Sequence, residues 1–213
     1  PLTDLEGDAE ARKRLRGLGR VIGATLVRSE PIGVALSAPL CKLLVGQEEL
    51  ITWKDLEAVL PALQFAPLAA CLEDGLTPAE QQEKFDYFVE YGLLVDVDDG
   101  EEPHFTLPSR AVRRYAKEHP GRMKPQPMRA ESSLEDGGDT KAATVENVGA
   151  FAAAWARKEL VVNTEGQLAA VKQGVSDIAG ADGILASFTT AGGWQALQRQ
   201  LRGATDIDVA EWR

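Results

Sequence analysis

The chain has 213 residues, and its 33 acidic against 23 basic side chains give a formal net charge of −10 at pH 7. Hydrophobic residues make up 44% of the chain, which is typical of a folded globular protein and argues against wholesale disorder. The negative charge argues against nucleic acid as a partner, and no apolar run approaches the ~18 residues that a membrane span needs. We therefore expect neither a nucleic-acid nor a membrane partner, whereas a partner with a basic face would suit this charge. The chain begins with Pro1 rather than Met, so it is expected to be a piece of a longer protein.

The N-terminal third of the chain predicts helices. Apolar residues at helical spacing predict a helix over 9–27, and a second, short helix follows Pro39. Gly19 and Gly23 lie four residues apart inside the first helix, which favours close approach of a neighbouring element there. The apolar residues of the first helix are Leu15, Leu18, Val21, Ile22 and Leu26.

Three further segments precede the centre of the chain. Thr52 with Asp55 predicts a capped helix with Leu56 and Val59 turned inward. A broken helical pattern around Pro67 follows, carrying Leu63, Leu68 and Leu72. The run Thr77-Pro78-Ala79-Glu80 then predicts a helix start, because a Thr cap, a Pro at the first position and a Glu that can reach back satisfy the free amides. That helix places Phe85, Phe88 and Val89 on its apolar face.

The central segment is polar and predicts little regular structure. An Asp-Asp-Gly turn between residues 93–97 and 104–107 predicts a small hairpin. A basic helix is expected over 109–118, and the Pro- and Gly-rich residues 120–143 predict a long loop.

Helical patterns return at the C-terminal end. Thr144 or Asn147 starts a helix that places Phe151 and Trp155 on one face, one turn apart. Thr164 with Gln167 predicts another capping box, and a last helix is expected to end at Gly203. The fold class is therefore α+β, mainly α-helical, with a small β-containing insertion.

The chemistry-bearing residues are few. Cys41 and Cys71 lie in apolar contexts, which indicates buried, inert thiols. His104 and His119 are isolated, so the spacing of a zinc site is missing. No phosphate-binding glycine loop or HExxH motif is present, and we predict neither a metal nor a cofactor.

The order of the motifs resembles the N-lobe of HECT-type ubiquitin ligases. Residues 18–23 read LGRVIG and residues 42–46 read KLLVG, similar to two blocks of that family. Residues 144–147 read TVEN and residues 207–209 read IDV, similar to two later blocks. The family's C-lobe, which carries the thioester-forming cysteine, has no counterpart in this chain.

This resemblance implies a bilobed, HECT N-lobe-like architecture. Residues 1–60 and 163–213 would form the large helical subdomain, and residues 61–162 the smaller subdomain that binds the ubiquitin-conjugating enzyme. The family's groove for an aromatic side chain of that enzyme falls on Phe151 and Trp155, and its facing wall on Leu68 and Leu72. No residue of the chain is expected to be catalytic. Replacement of Phe151 by Ala is predicted to weaken enzyme binding by about 2 kcal/mol or more.

The resemblance also implies the activity of the parent protein, a ubiquitin-protein transferase. Ubiquitin would pass from the conjugating enzyme to a C-lobe cysteine outside this chain and then to a substrate lysine. The partners are then the conjugating enzyme, ubiquitin and protein substrates recruited by other regions, in the cytoplasm or the nucleus. The segment alone is predicted to be inactive.

Two alternatives remain open. The first is a non-catalytic helical protein-interaction scaffold related to HECT domains. The second is an unrelated thiol enzyme that uses Cys71, which a fast reaction with an alkylating agent would reveal.

Overall fold

The computed structural model describes residues 9–92, 103–104, 106–108, 131–138, 140–180, 183–189 and 192–203. These residues are mainly helical, and the chain divides into two compact units. Unit 1 comprises Pro1–Ile51 with Glu159–Arg213, and unit 2 comprises Thr52–Lys158. In chain order the α-helices are α1 (Ala9–Arg28), α2 (Ala38–Leu44), α3 (Ala62–Cys71), α4 (Pro78–Tyr87), α5 (Val148–Ala156), α6 (Glu165–Ala179) and α7 (Gly193–Arg202).

Unit 1 is built on the close contact of α1 with α6. A Cβ atom added to Gly19 would lie 2.0 Å from the carbonyl oxygen of Val171, and one added to Gly174 would lie 2.0 Å from that of Arg16. Only glycine allows two backbones to approach so closely. The close approach predicted from Gly19 and Gly23 is therefore confirmed.

The core of unit 1 forms between these two helices, α2 and α7. Its buried residues are Ile22, Leu26, Cys41, Leu44, Val45, Val171, Val175, Leu197 and Leu201. Leu18 and Val21 are exposed, although their spacing assigned them to the apolar face of α1. The side of α1 that carries Gly19 and Gly23 packs against α6. The buried apolar residues of α1 therefore form a narrow stripe centred on Ile22 and Leu26, and Leu18 and Val21 lie outside it.

The predicted capping box at Thr164 is wrong. Thr164 closes a short 3₁₀ helix, Val162–Thr164, just before α6, and its hydroxyl donates back to the carbonyl of Leu160. It therefore makes no side-chain cap for α6. At the other end of unit 1, α7 ends at Gly203 with a φ of 81°, as predicted.

Unit 2 begins with a capped 3₁₀ helix, Trp53–Ala58. The amide of Thr52 donates to Asp55 at 2.8 Å, so the predicted cap is present, but Val59 is exposed rather than turned inward. At the start of α4 the predicted capping box is confirmed. Glu80 Oε2 accepts from the amide of Thr77 at 2.9 Å, and the Thr77 hydroxyl accepts from the amide of Glu80 at 3.3 Å.

A short antiparallel ribbon completes the described part of unit 2. Strand β1 (Thr106–Pro108) pairs with β2 (Glu131–Ser133), so that Thr106 faces Ser133. Residues 93–97, predicted as the partner of this first strand, and the predicted basic helix at 109–118 lie outside the described residues. The prediction of a loop throughout 120–143 is wrong at β2, because the Glu-Ser-Ser sequence carries no strand pattern of its own.

Candidate functional site

Three aromatic rings meet in the interior of unit 2. Phe151 and Trp155 come from α5, and Phe88 comes from the π-helical turn Phe88–Gly92 that continues α4. The ring centroids lie 5.9 Å apart for Phe88 and Phe151, 6.4 Å for Phe88 and Trp155, and 6.0 Å for Phe151 and Trp155. These separations lie in the range of favourable aromatic pairs. We call Phe88, Phe151 and Trp155 the aromatic cluster.

The four residues predicted to bind a partner do not form an open groove. Phe151, Trp155 and Leu68 are each 0% exposed, and the ring of Phe88 packs against both rings of α5. Leu72 is partly exposed and lies beside α5, where its Cδ2 would be 3.9 Å from a Cβ atom added to Gly149. The expectation that the two rings are open to a visiting protein is therefore wrong for this conformation. The partner-binding role of the four residues stays a prediction.

The indole of Trp155 has an unusual environment. Its Nε1–H is buried and has no hydrogen-bond acceptor within the part of the chain that the structure describes. Most buried polar groups in proteins have a partner, so such a donor requires an explanation.

An acidic hollow lies on the surface of unit 2, and sequence reasoning missed it. It has a volume of about 550 Å³ and is lined mainly by the outer face of α4. Four carboxylates surround it, from Glu80, Glu83, Asp86 and Glu90, together with Tyr87 and Lys84. The Tyr87 ring is 54% exposed. The repeated acidic residues of α4 were visible in the sequence, but only the fold shows that they surround one concavity.

Two carboxylates of unit 2 are held in their charged form. Hydrogen bonds from the Thr77 hydroxyl and amide lower the pKa of Glu80, which lines the acidic hollow. A hydrogen bond from Thr144 likewise lowers the pKa of Glu146. Glu80, like the other carboxylates of the hollow, contributes negative charge to its field at neutral pH.

Both thiols are buried, as predicted. Cys71 is 1% exposed, and its Sγ–H donates to the carbonyl oxygens of Pro67 at 3.2 Å and Lys84 at 3.1 Å. Burial raises the pKa of Cys71 to about 12 and that of Cys41 to about 11. A nucleophilic cysteine needs an accessible thiolate, so the structure contradicts the thiol-enzyme interpretation of Cys71.

Within the described ranges, no group of three or more His, Cys, Asp or Glu side chains is arranged to hold a metal ion. Among the described helices, none is long and apolar enough to cross a membrane.

The described residues thus define a mainly helical protein with an aromatic core in one unit and inert thiols in both. The family model of the HECT-domain (ubiquitin-transferase) matches residues 3–213, and the chain belongs to that family. The recognition made from the motif order is therefore confirmed. No curated protein was found to match the chain.

Proposed function

We propose that this chain is the docking part of a HECT-type ubiquitin ligase, with the bilobed architecture of a HECT N-lobe. It binds a ubiquitin-charged conjugating enzyme so that ubiquitin can pass to a cysteine outside this chain and then to a substrate lysine. The observation that carries the proposal is the family match, which extends over nearly the whole chain. The chain's own contribution is to hold the two reactants close together.

Unit 2 is the docking unit in this proposal. It overlaps residues 61–162, to which the resemblance assigned the smaller subdomain, and its acidic hollow supports the assignment. Exposed aromatic side chains are frequent anchors in protein interfaces, and Tyr87 stands in the hollow among four carboxylates. A conjugating enzyme with a basic face would be steered toward this surface.

The inert thiols agree with a docking role. Neither Cys41 nor Cys71 can accept ubiquitin while its thiol is buried and protonated. The thioester step therefore belongs to a cysteine elsewhere in the parent protein.

The test is a calorimetric titration of the chain with a panel of conjugating enzymes. We expect at least one to bind, and we expect Tyr87→Ala to weaken that binding about tenfold, as loss of an interface anchor does. Val21→Ala is the matched control, because Val21 is equally exposed but lies on α1 of unit 1. A folded chain that binds no member of the panel would refute the docking function.

A second function is favoured by one observation. Three of the four predicted groove positions are buried, so the chain could be a non-catalytic scaffold related to HECT domains that binds other proteins. The same titration separates the two functions, because a scaffold of this kind binds no conjugating enzyme.

A further inference from the structure

The aromatic cluster of unit 2 buries a hydrogen-bond donor without satisfying it. Trp155 is 0% exposed, and its Nε1–H finds no acceptor in the described part of the chain. A closed core that leaves this donor unpaired is less stable than one in which the donor is paired. Any state in which the indole reaches an acceptor therefore recovers part of that free energy.

Two π-helical turns adjoin the aromatic cluster. Phe88 begins the π-helical turn Phe88–Gly92, and Trp155 stands just before a second π-helical turn, Arg157–Val161. A π turn holds one residue more than an α turn, and such turns are frequent at functional sites. Conversion of such a turn to α-helix would rotate the adjoining residues by about 100° around the helix axis. Two of the three rings therefore lie at or beside a π-helical turn.

Two leucines one turn apart near the end of α3 differ in exposure. Leu72 is partly exposed, and its Cδ2 would be 3.9 Å from a Cβ atom added to Gly149 on α5, whereas Leu68, one turn earlier, is fully buried. The α3 helix thus presents one apolar side chain at the surface and one in the core beneath it.

We propose that Trp155 is a gate: its ring swings out of the aromatic cluster, an apolar anchor of the docked conjugating enzyme enters, and the indole Nε1–H donates to an oxygen of that enzyme. This inference rests on the proposed function and specifies how the buried positions take part in it. The free chain is closed and the bound chain is open, with the unpaired donor satisfied only in the complex.

The first test observes the indole N–H group of Trp155 by ¹H–¹⁵N NMR in the free chain. We expect its hydrogen exchange to be faster than global unfolding allows and to depend little on denaturant, because local opening exposes it. Trp53 is the control in the same unit, since its partly exposed ring needs no opening. Exchange of the Trp155 group only through global unfolding would overturn the gate.

The second test adds the tightest-binding conjugating enzyme of the panel. We expect the Trp155 indole resonance to move downfield and the observed binding rate to level off at high enzyme concentration, as opening becomes limiting. If the enzyme binds while the Trp155 resonance stays in place, the gate is wrong and the docking function stands. If no enzyme in the panel moves any resonance, both proposals are wrong.

A variant isolates the hydrogen bond. Trp155→Phe keeps an aromatic ring and removes the donor, so we expect affinity to fall about tenfold, the effect of one lost hydrogen bond in an interface. Trp53→Phe should leave affinity unchanged. Because the smaller ring could loosen the core, thermal unfolding of each variant is measured alongside. Unchanged affinity in a folded Trp155→Phe variant would contradict the proposed donor role.

Discussion

At the scale of single residues, burial decides what each reactive or aromatic side chain can do. The thiol of Cys71 lies between α3 and α4, where two backbone carbonyls accept a hydrogen bond from its S–H group and solvent is excluded. Desolvation disfavours the thiolate more than the nearby Lys84 favours it, so the pKa of Cys71 is raised. Phe151 and Trp155 are fully buried, so they stabilise the core of unit 2 and cannot contact another protein in the closed conformation.

Cys41 and Cys71 are expected to resist alkylation. With pKa values of about 11 and 12, almost no thiolate forms at pH 7.5, and neither sulfur is accessible. Mass spectrometry after incubation with iodoacetamide should find the native chain unmodified and the chain in denaturant labelled twice. Rapid labelling of the native chain would contradict the observed burial.

Phe151→Ala is expected to destabilise the fold rather than to act on binding alone. Removal of a fully buried ring from the aromatic cluster should lower the free energy of unfolding by about 3–5 kcal/mol. The matched change Tyr87→Ala, at an exposed ring, should alter it by no more than about 0.5 kcal/mol. Urea unfolding followed by circular dichroism measures both, and equal effects would contradict the different burial of the two rings.

At the scale of elements, close backbone packing and ion pairs between side chains both contribute to the contact of α1 with α6. Asp177 on α6 accepts from Arg16 at 2.7 Å through both of its oxygens, and from Arg20 at 2.8 Å. Hydrogen bonds from Arg16 and then Arg20 hold the pKa of this carboxyl well below its usual range. The glycine contact and the ion pairs of Asp177 thus both hold α1 against α6.

Gly19→Ala tests the shape of this contact. The added Cβ would meet the backbone carbonyl of Val171, which cannot move aside as a flexible side chain could, so we expect a loss of about 1–3 kcal/mol or more. Gly17→Ala is the matched control on the same helix, where nothing lies within 4 Å of the new Cβ. That change should stabilise the chain by about 0.5–1 kcal/mol, since Ala favours helix more than Gly does. Thermal unfolding compares the two.

Asp177→Asn tests the charge of this contact through its pH dependence. A carboxyl whose folded pKa is depressed stabilises the fold above its unfolded pKa of about 3.9, and this contribution is lost as pH falls toward the folded pKa. We therefore expect the variant to have a lower Tm than the wild type at pH 7, with the difference narrowing below about pH 4. Glu10→Gln, which alters an exposed pair with Arg14, should change Tm little. If the Tm difference between the variant and the wild type did not change with pH, the charge of Asp177 would not be its cause.

At the scale of the whole molecule, the charge and the family of the chain agree with the proposed docking role. Its net charge of −10 is unfavourable for binding the phosphate backbone of nucleic acid, and its membership of the HECT-domain family connects it to ubiquitin transfer. The acidic hollow on α4 concentrates part of this charge at one concavity.

The chain alone is expected to form no thioester with ubiquitin. Incubation with activating enzyme, conjugating enzyme, ubiquitin and ATP should give no adduct on the chain that is cleaved by dithiothreitol, because both thiols are buried and protonated. Non-reducing electrophoresis measures the outcome. A reducible adduct lost on replacing Cys71 by Ser would show that the chain is a transferase by itself.

The sequence alone determined the features that depend on neighbours within a few residues. The capping box of Thr77 and Glu80 and the placement of Phe151 and Trp155 on one face of α5 follow from local spacing. The glycines at 19 and 23 indicated a close approach, but only the tertiary structure identified α6 as the neighbour. Motif order also determined the family. Only the tertiary structure decided that Phe88 covers the rings of α5, since these residues lie far apart in the chain. It likewise decided that Glu131–Ser133 pairs with Thr106–Pro108, because strand partners are chosen by backbone hydrogen bonds that a side-chain pattern does not encode.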